Sequence, residues 1–164
     1  MYKINDNIVY PSVGVCKIID IKRENFSGEE KEYYILKPLY AKGETTLFLL
    51  TQGARVKTRN LLTKKEADAL INKMPTIKPL EIENNRHRVN AFNQILKSCD
   101  NEKIISLIAL LYNEKLEKSE TGKGLRATDE RIFNDAQKLI NQELACSLGI
   151  TVDEVLEYIS KKIK

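Results

Sequence analysis

A change of pattern at Leu62 divides this chain in two. Before it, Gly14, Gly28, Gly43 and Gly53 punctuate short runs rich in isoleucine, valine, tyrosine and threonine, which is the chemistry of strands and turns. Beyond it the strand runs stop and helix-start signals take over. The first part predicts strands at 7–10, 15–21, 33–37, 45–50 and 55–57, separated by turns at 11–14, 26–30, 41–44 and 52–53. Five short strands in so small a domain should not leave both outer edges open, so closure into a small SH3-like or Tudor-like β-barrel is expected.

In the second part Thr63-Lys64-Lys65-Glu66 reads as a capping box, in which the Thr63 hydroxyl and the Glu66 carboxylate satisfy each other's backbone N–H. Thr151-Val152-Asp153-Glu154 repeats the device. Pro75 and Pro79 stop the first helix and bracket an extended elbow that leads into a second helix near Asn85. Asp100 is placed to cap a third, whose Ile104, Ile105, Leu107, Ile108 and Leu111 form a stripe broad enough for the central helix of a bundle. Gly122 and Gly124 break the pattern before a helix opening at Thr128 or Asp129. That helix carries Ile132, Phe133, Ala136, Leu139, Ile140 and Leu144, and Val152, Val155, Leu156, Ile159 and Ile163 complete a fifth at helical spacing. The expected architecture is therefore α+β with two domains: a small β-barrel over 1–58 and a compact all-α domain over 59–164.

Function classes fall away on chemistry. A 42% hydrophobic and 30% charged composition is ordinary for a globular protein and contains no membrane span. The N-terminus alternates polar and apolar residues and has no signal-peptide core, so a cytoplasmic protein is expected. Cys16, Cys99 and Cys146 are odd in number and far apart, which suits reduced packing residues and neither a disulfide framework nor a metal site. The one histidine, His87, lies in the basic string Arg86-His87-Arg88 and reads as a surface residue. No Gly-rich phosphate cradle or nucleophile elbow occurs, and Gly122-Lys123-Gly124 is a loop with no strand before it. Glu29-Glu30 reads as a solvated turn and Asp129-Glu130 as acids favouring a helix N-terminus. An enzyme is not expected, and neither a metal nor another cofactor. The net charge of +4 leans toward anionic partners.

Ile4-Asn5-Asp6-Asn7-Ile8-Val9-Tyr10-Pro11 followed by Gly14-Val15 resembles the opening of the CarD and CdnL family of transcription regulators. The β-domain of that family is shared with the polymerase-binding module of transcription-repair coupling factor. Gly28-Glu29-Glu30-Lys31-Glu32-Tyr33-Tyr34-Ile35-Leu36 is similar to the family's second hairpin. Gly124-Leu125 with Glu130-Arg131 and the run from Leu139 to Leu144 resembles its late helix. The resemblance implies that the barrel pairs an exposed strand with the RNA polymerase β subunit while the helical domain sits on promoter DNA at the upstream edge of the melted region. Open-complex stability would be modulated by a single copy of the chain, with weak sequence specificity.

For the polymerase contact the candidates are Thr46, Leu47, Phe48 and Leu49, with Lys22 and Arg23 in the region where the family places basic residues. Unpaired backbone groups on such an edge supply strand addition and alternate side chains supply specificity. Phe48 is the strongest of them, because alternation turns it away from the face of Leu47 and Leu49, which can equally fill the core. For DNA the candidates are Asn84, Asn85, Arg86, Arg88, Lys123 and Arg126, contacting phosphates and the minor groove. Many family members carry a tryptophan wedge at this helix tip; this chain has no tryptophan, and Asn85 stands there. Asn5, Val13 and Cys16 likewise replace a glycine, a histidine and a glycine.

Two rival readings accompany this one. In the first, the barrel itself holds nucleic acid, which calls for aromatic residues interleaved with lysines; Tyr33, Tyr34 and Tyr40 are the group available, and core or rim positions suit them better. In the second, the chain is a protein–protein adaptor without DNA contact.

Overall fold

The alternating apolar pattern of the N-terminal segment becomes five antiparallel strands in the computed structural model, which describes residues 1–164. They are β1 (Asn7–Tyr10), β2 (Gly14–Asn25), β3 (Glu30–Pro38), β4 (Leu47–Leu50) and β5 (Arg59–Asn60), hydrogen-bonded in the order β4-β3-β2-β1-β5. One face of the sheet buries Ile8, Cys16, Ile18, Tyr34, Leu36 and Leu49. The β2 and β3 hairpin is the long member. It turns at Gly28, whose φ of +88° a side chain would resist, and the Asn25 carboxamide accepts the Gly28 N–H at 2.8 Å.

The sheet does not close into the barrel that its five strands suggested. β4 pairs only with β3, and β5 only with β1. The segment 55–57 is not a strand, and the fifth strand falls later, at Arg59–Asn60, carrying the sheet past residue 58. Short edges are the physical reason that openness is tolerated: with four residues in β4 and two in β5, each edge exposes few unpaired backbone groups.

The first hairpin also shows what its three replaced residues do. Asn5 has a φ of +78°, in the left-handed region where glycine is the default and asparagine the best-tolerated alternative, and its N–H reaches the Ile18 carbonyl at 2.7 Å. Val13 lies exposed in the turn, and Cys16 is fully buried in the sheet core. Burial pushes the Cys16 thiol up to about 11. Its thiolate population near pH 8 is then roughly a hundredfold below that of an unperturbed thiol, so alkylation should be slower by about that factor until the sheet unfolds. Mass spectrometry of iodoacetamide-treated native and urea-unfolded protein checks this; equal labelling of Cys16 in both states would contradict it.

The chain separates into two units, Met1–Leu61 and Leu62–Lys164. The second contains α1 (Lys64–Lys73), α2 (Arg88–Lys97), α3 (Asn101–Ser119), α4 (Ala127–Leu148) and α5 (Val155–Ile163). Both capping boxes form, at Thr63 and at Thr151, and Asp100 caps α3 by accepting the N–H groups of Glu102 and Lys103. Caps of this kind are worth about 1 kcal/mol each. The elbow after α1 begins with a 3-10 turn at Met74–Thr76 before the chain extends, and a second such turn at Asn85–His87 delays α2 until Arg88. α4 starts one residue earlier than Thr128, at Ala127.

The hub of this unit is α4, where the sequence pointed to the helix capped by Asp100. α4 packs against α1, α2, α3 and α5, and supplies Ile132, Phe133, Ala136, Ile140, Leu144 and Ala145 to the core. α3 contributes Ile104, Leu107 and Leu111 but leaves Tyr112 and Leu116 in solvent. Its apolar residues spread around the helix more widely than the core it meets. At the far end of the chain the Tyr158 hydroxyl donates to Asp68 of α1 at 2.6 Å, a bond that, with Lys162 nearby, holds the Asp68 carboxyl below the usual carboxylate range.

Glu143 of α4 is buried, and its two oxygens accept from the Leu62 N–H at 3.3 Å and the Asn101 carboxamide at 3.2 Å. This carboxylate thus ties the approach to α1 and the start of α3 to the hub helix. Glu143→Ala leaves those part-buried donors without their acceptor and should destabilise the chain by about 1–3 kcal/mol. Urea unfolding measures it, and a midpoint unmoved from that of the wild type would show that water takes over the acceptor role.

Candidate functional site

Two regions carry the side chains that the sequence singled out, one in each unit. In the first, β4 forms an outer edge of the sheet. Thr51 donates its N–H to the Glu32 carbonyl at 3.1 Å, and Leu49 and Phe48 lie opposite Tyr34 and Ile35. In that register antiparallel alternation directs the backbone of Leu49 into the ladder and the N–H and C=O of Phe48 and Leu50 outward. The edge therefore offers donors and acceptors to another strand.

The side chains follow the same alternation. Leu49 is 4% exposed and belongs to the sheet core, whereas Phe48 is 43% exposed on the opposite face. Phe48 is not alone there. Phe26, 58% exposed in the β2–β3 turn, packs edge-on against it with ring centroids 5.0 Å apart, and Tyr33 lies 5.1 Å from Phe26 and 6.3 Å from Phe48. Sequence reading missed Phe26 and the grouping of the three rings. A phenylalanine inside a Ser-Gly turn was the available signal, since a turn gives an aromatic ring nothing to bury against unless strands bring it there.

Lys22 lies opposite Tyr33 in the ladder and ion-pairs with Asp20 at 3.3 Å. Its neighbour Arg23 points to the other face and lines a pocket of about 350 Å³ with Lys31, Glu32, Leu50, Thr51 and Gln52. Thr46 is exposed just before β4, and Leu47 is half-buried at its start. Among the polymerase candidates, then, Phe48, Thr46, Lys22 and Arg23 present side chains to solvent, Leu47 in part, and Leu49 faces inward.

The second region surrounds the start of α2. Asn84 turns its side chain back to accept the Arg86 N–H at 2.9 Å, and the His87 N–H reaches the Asn84 carbonyl at 3.2 Å, so the tip is held by its own hydrogen bonds. Asn85, Arg86 and His87 are exposed. A pocket of about 330 Å³ brings Asn85 and Arg88 together with Lys118, Arg126 and three acids, Glu114, Glu117 and Asp129. Lys123 is exposed in the loop before α4 and does not line it.

Arg88 departs from the expectation of a phosphate ligand. Its side chain is 17% exposed, and its guanidinium forms a forked bond with Glu114, at 2.7 and 3.3 Å, and another bond with Asp129 at 3.1 Å. It also stacks over the buried Phe92 ring, 5.0 Å from the centroid. The hydrogen bond to Glu114 raises the guanidinium pKa further above its ordinary value. Asp129 serves as the buried counter-ion of this cation as well as an acid in the first turn of α4. No cluster of three or more histidine, cysteine or acidic side chains has the arrangement of a metal site, and no helix is long and apolar enough to cross a membrane.

Residues 2–55 match the family model of the CarD-like/TRCF RID domain. The N-terminal unit is a CarD-like/TRCF RID domain. A RID domain is a protein-interaction domain, and its family ties the chain to an RNA polymerase-interacting, transcription-related role. The match ends inside the first unit, so the helical unit lies outside it. Within the RID domain the exposed aromatic group and the outward backbone of β4 share one edge. Tyr34, which the nucleic-acid-binding rival needs on a surface, is instead buried with its ring against Tyr2.

Proposed function

We propose that this protein is a transcription regulator that docks on the β subunit of RNA polymerase through the β4 edge of its RID domain and contacts promoter DNA with the helical unit. The observation that carries the reading is the combination at β4: outward backbone groups beside a cluster of exposed rings. Strand addition supplies affinity through the main chain, and a ring cluster beside the edge supplies a place for an apolar side chain of the partner. Lys22, Arg23, Thr46 and Leu47 flank that surface.

On the helical side Asn84, Asn85, Arg86, Lys123 and Arg126 form the DNA-facing set, while Arg88 is retained by its carboxylates. Arginine and lysine contacts to phosphate fix position and register without reading bases. With asparagine in place of a wedge ring at residue 85, stabilisation of the melted upstream edge rests on phosphate and minor-groove contacts, because an amide cannot unstack bases as an aromatic ring does. The protein shifts the closed-to-open equilibrium through its differential affinity for the two states, so both activation and repression are accessible.

The lifetime of promoter open complexes with and without the protein tests the whole reading, alongside retention of polymerase on the immobilised chain. A longer or shorter lifetime that tracks polymerase retention is the expected outcome. Failure to retain polymerase or its β subunit would end the proposal. The adaptor reading draws support from the three acids around the tip pocket. The pair Arg86→Glu and Arg126→Glu separates the two, since an adaptor keeps its promoter complexes unchanged and a DNA contactor loses occupancy and salt sensitivity.

A further inference from the structure

Resting on the DNA-contact reading above and deepening it, we propose that Arg88 is a positioning residue that sets the spacing of the DNA-facing segments, held by Glu114 and Asp129 as a clamp, and is not itself a phosphate ligand. One guanidinium joins three elements. Arg88 begins α2, Glu114 lies in the C-terminal half of α3, and Asp129 sits in the first turn of α4. Two segments leave from the clamped points. The Asn84–His87 tip precedes Arg88, whose own N–H closes it on the Asn85 carbonyl and whose Nη1 lies 3.5 Å from the Asn85 side-chain oxygen. Arg126 is the N-cap residue of α4, three positions before Asp129.

The same geometry argues against direct phosphate binding. Both terminal nitrogens of Arg88 already donate to carboxylates, and Nε is buried without a partner. A phosphate could reach this guanidinium only by displacing Glu114 or Asp129 from it. What the clamp provides is preorganisation. Arg86 and Arg126 are exposed, and backbone contacts to a duplex add up only when their spacing is already set before binding.

The test uses the full-length chain and a fluorescent DNA duplex with a preformed mismatch bubble. In the Glu114→Gln/Asp129→Asn variant two negative charges disappear and Arg88 keeps its charge, so a phosphate-ligand role predicts tighter binding. The clamp predicts the opposite sign: binding weaker by about fivefold, from lost preorganisation, with a shallower salt dependence. Arg88→Lys preserves the charge but cannot make the forked bond, and should weaken binding by a similar factor, whereas lysine would substitute well in a phosphate ligand.

Hydrogen exchange reports the cause without DNA. In both variants the tip amides of Arg86, His87 and Arg88 should exchange about tenfold faster while that of Leu107 in α3 stays protected. Unchanged or tighter binding by the double variant, with Leu107 protected, overturns the inference. If the double variant loses Leu107 protection, Arg88→Lys decides alone: wild-type affinity and tip exchange then overturn it. Arg86→Glu with Arg126→Glu monitors the underlying reading. Binding insensitive to that pair brings down the DNA contact and the clamp together, and binding abolished by it beside a neutral clamp variant brings down the clamp only.

Discussion

Arg88→Ala is expected to destabilise the helical unit by about 3–5 kcal/mol, the usual consequence of removing one partner from a buried ion pair. The side chain that remains behind explains the size. Asp129 is 4% exposed, and without Arg88 its carboxylate loses the cation that pairs with it, while Glu114 stands close by with the same charge. The ring of Phe92, fully buried, also loses the guanidinium stacked on it. Against a total stability of about 5–15 kcal/mol for a typical domain, such a loss moves the chain toward unfolding at ordinary temperature. The measurement is urea unfolding followed by circular dichroism. Adding Asp129→Asn to Arg88→Ala removes the stranded charge and should recover part of the loss. A cost under about 1 kcal/mol would mean that the network behaves as an exposed surface pair.

The second large effect belongs to the other unit. Phe48→Asp should reduce affinity for RNA polymerase by about 3 kcal/mol, on the order of a hundredfold, as expected for a central aromatic anchor replaced by a charge. The ring lies beside the outward backbone of β4 and packs against Phe26, so aspartate both removes the apolar contact and carries a charge that docking would have to desolvate. The fold should survive, because the 43% exposed ring is not part of the sheet core that contains Leu49 and Tyr34. Binding to immobilised polymerase, together with a thermal melt, distinguishes a damaged interface from a damaged fold. Undiminished affinity with a native melt would locate the docking surface elsewhere on the RID domain. Phe26→Ala should give a smaller loss in the same assay, through the ring it supports.

How much of this was legible beforehand depended on how far along the chain the deciding interactions reach. The capping boxes at Thr63 and Thr151 and the Asp100 cap were readable because a cap is completed within three residues. The outward turn of Phe48 followed from alternation, which is equally local. Its companions were not. Phe26 meets Phe48 only after the β2–β3 hairpin has folded and β4 has paired against β3. Arg88, read as one more exposed cation, has partners 26 and 41 residues away. Nothing in the string Arg86-His87-Arg88 distinguishes the arginine that points into solvent from the one that is drawn inside.

The amino-acid sequence by itself determined the division into a strand-rich and a helix-rich half, most element starts, and through its opening motif the kinship with polymerase-binding domains. Those follow from backbone preference, apolar period and short-range hydrogen bonding, all of which act between near neighbours. Tertiary structure alone decided that the sheet stays open, that α4 and not α3 is the hub, and that one of the two tip arginines serves the fold. Each of those outcomes turns on which distant surfaces meet and which charges lose their water when they do, and burial of that kind is a property of the assembled chain.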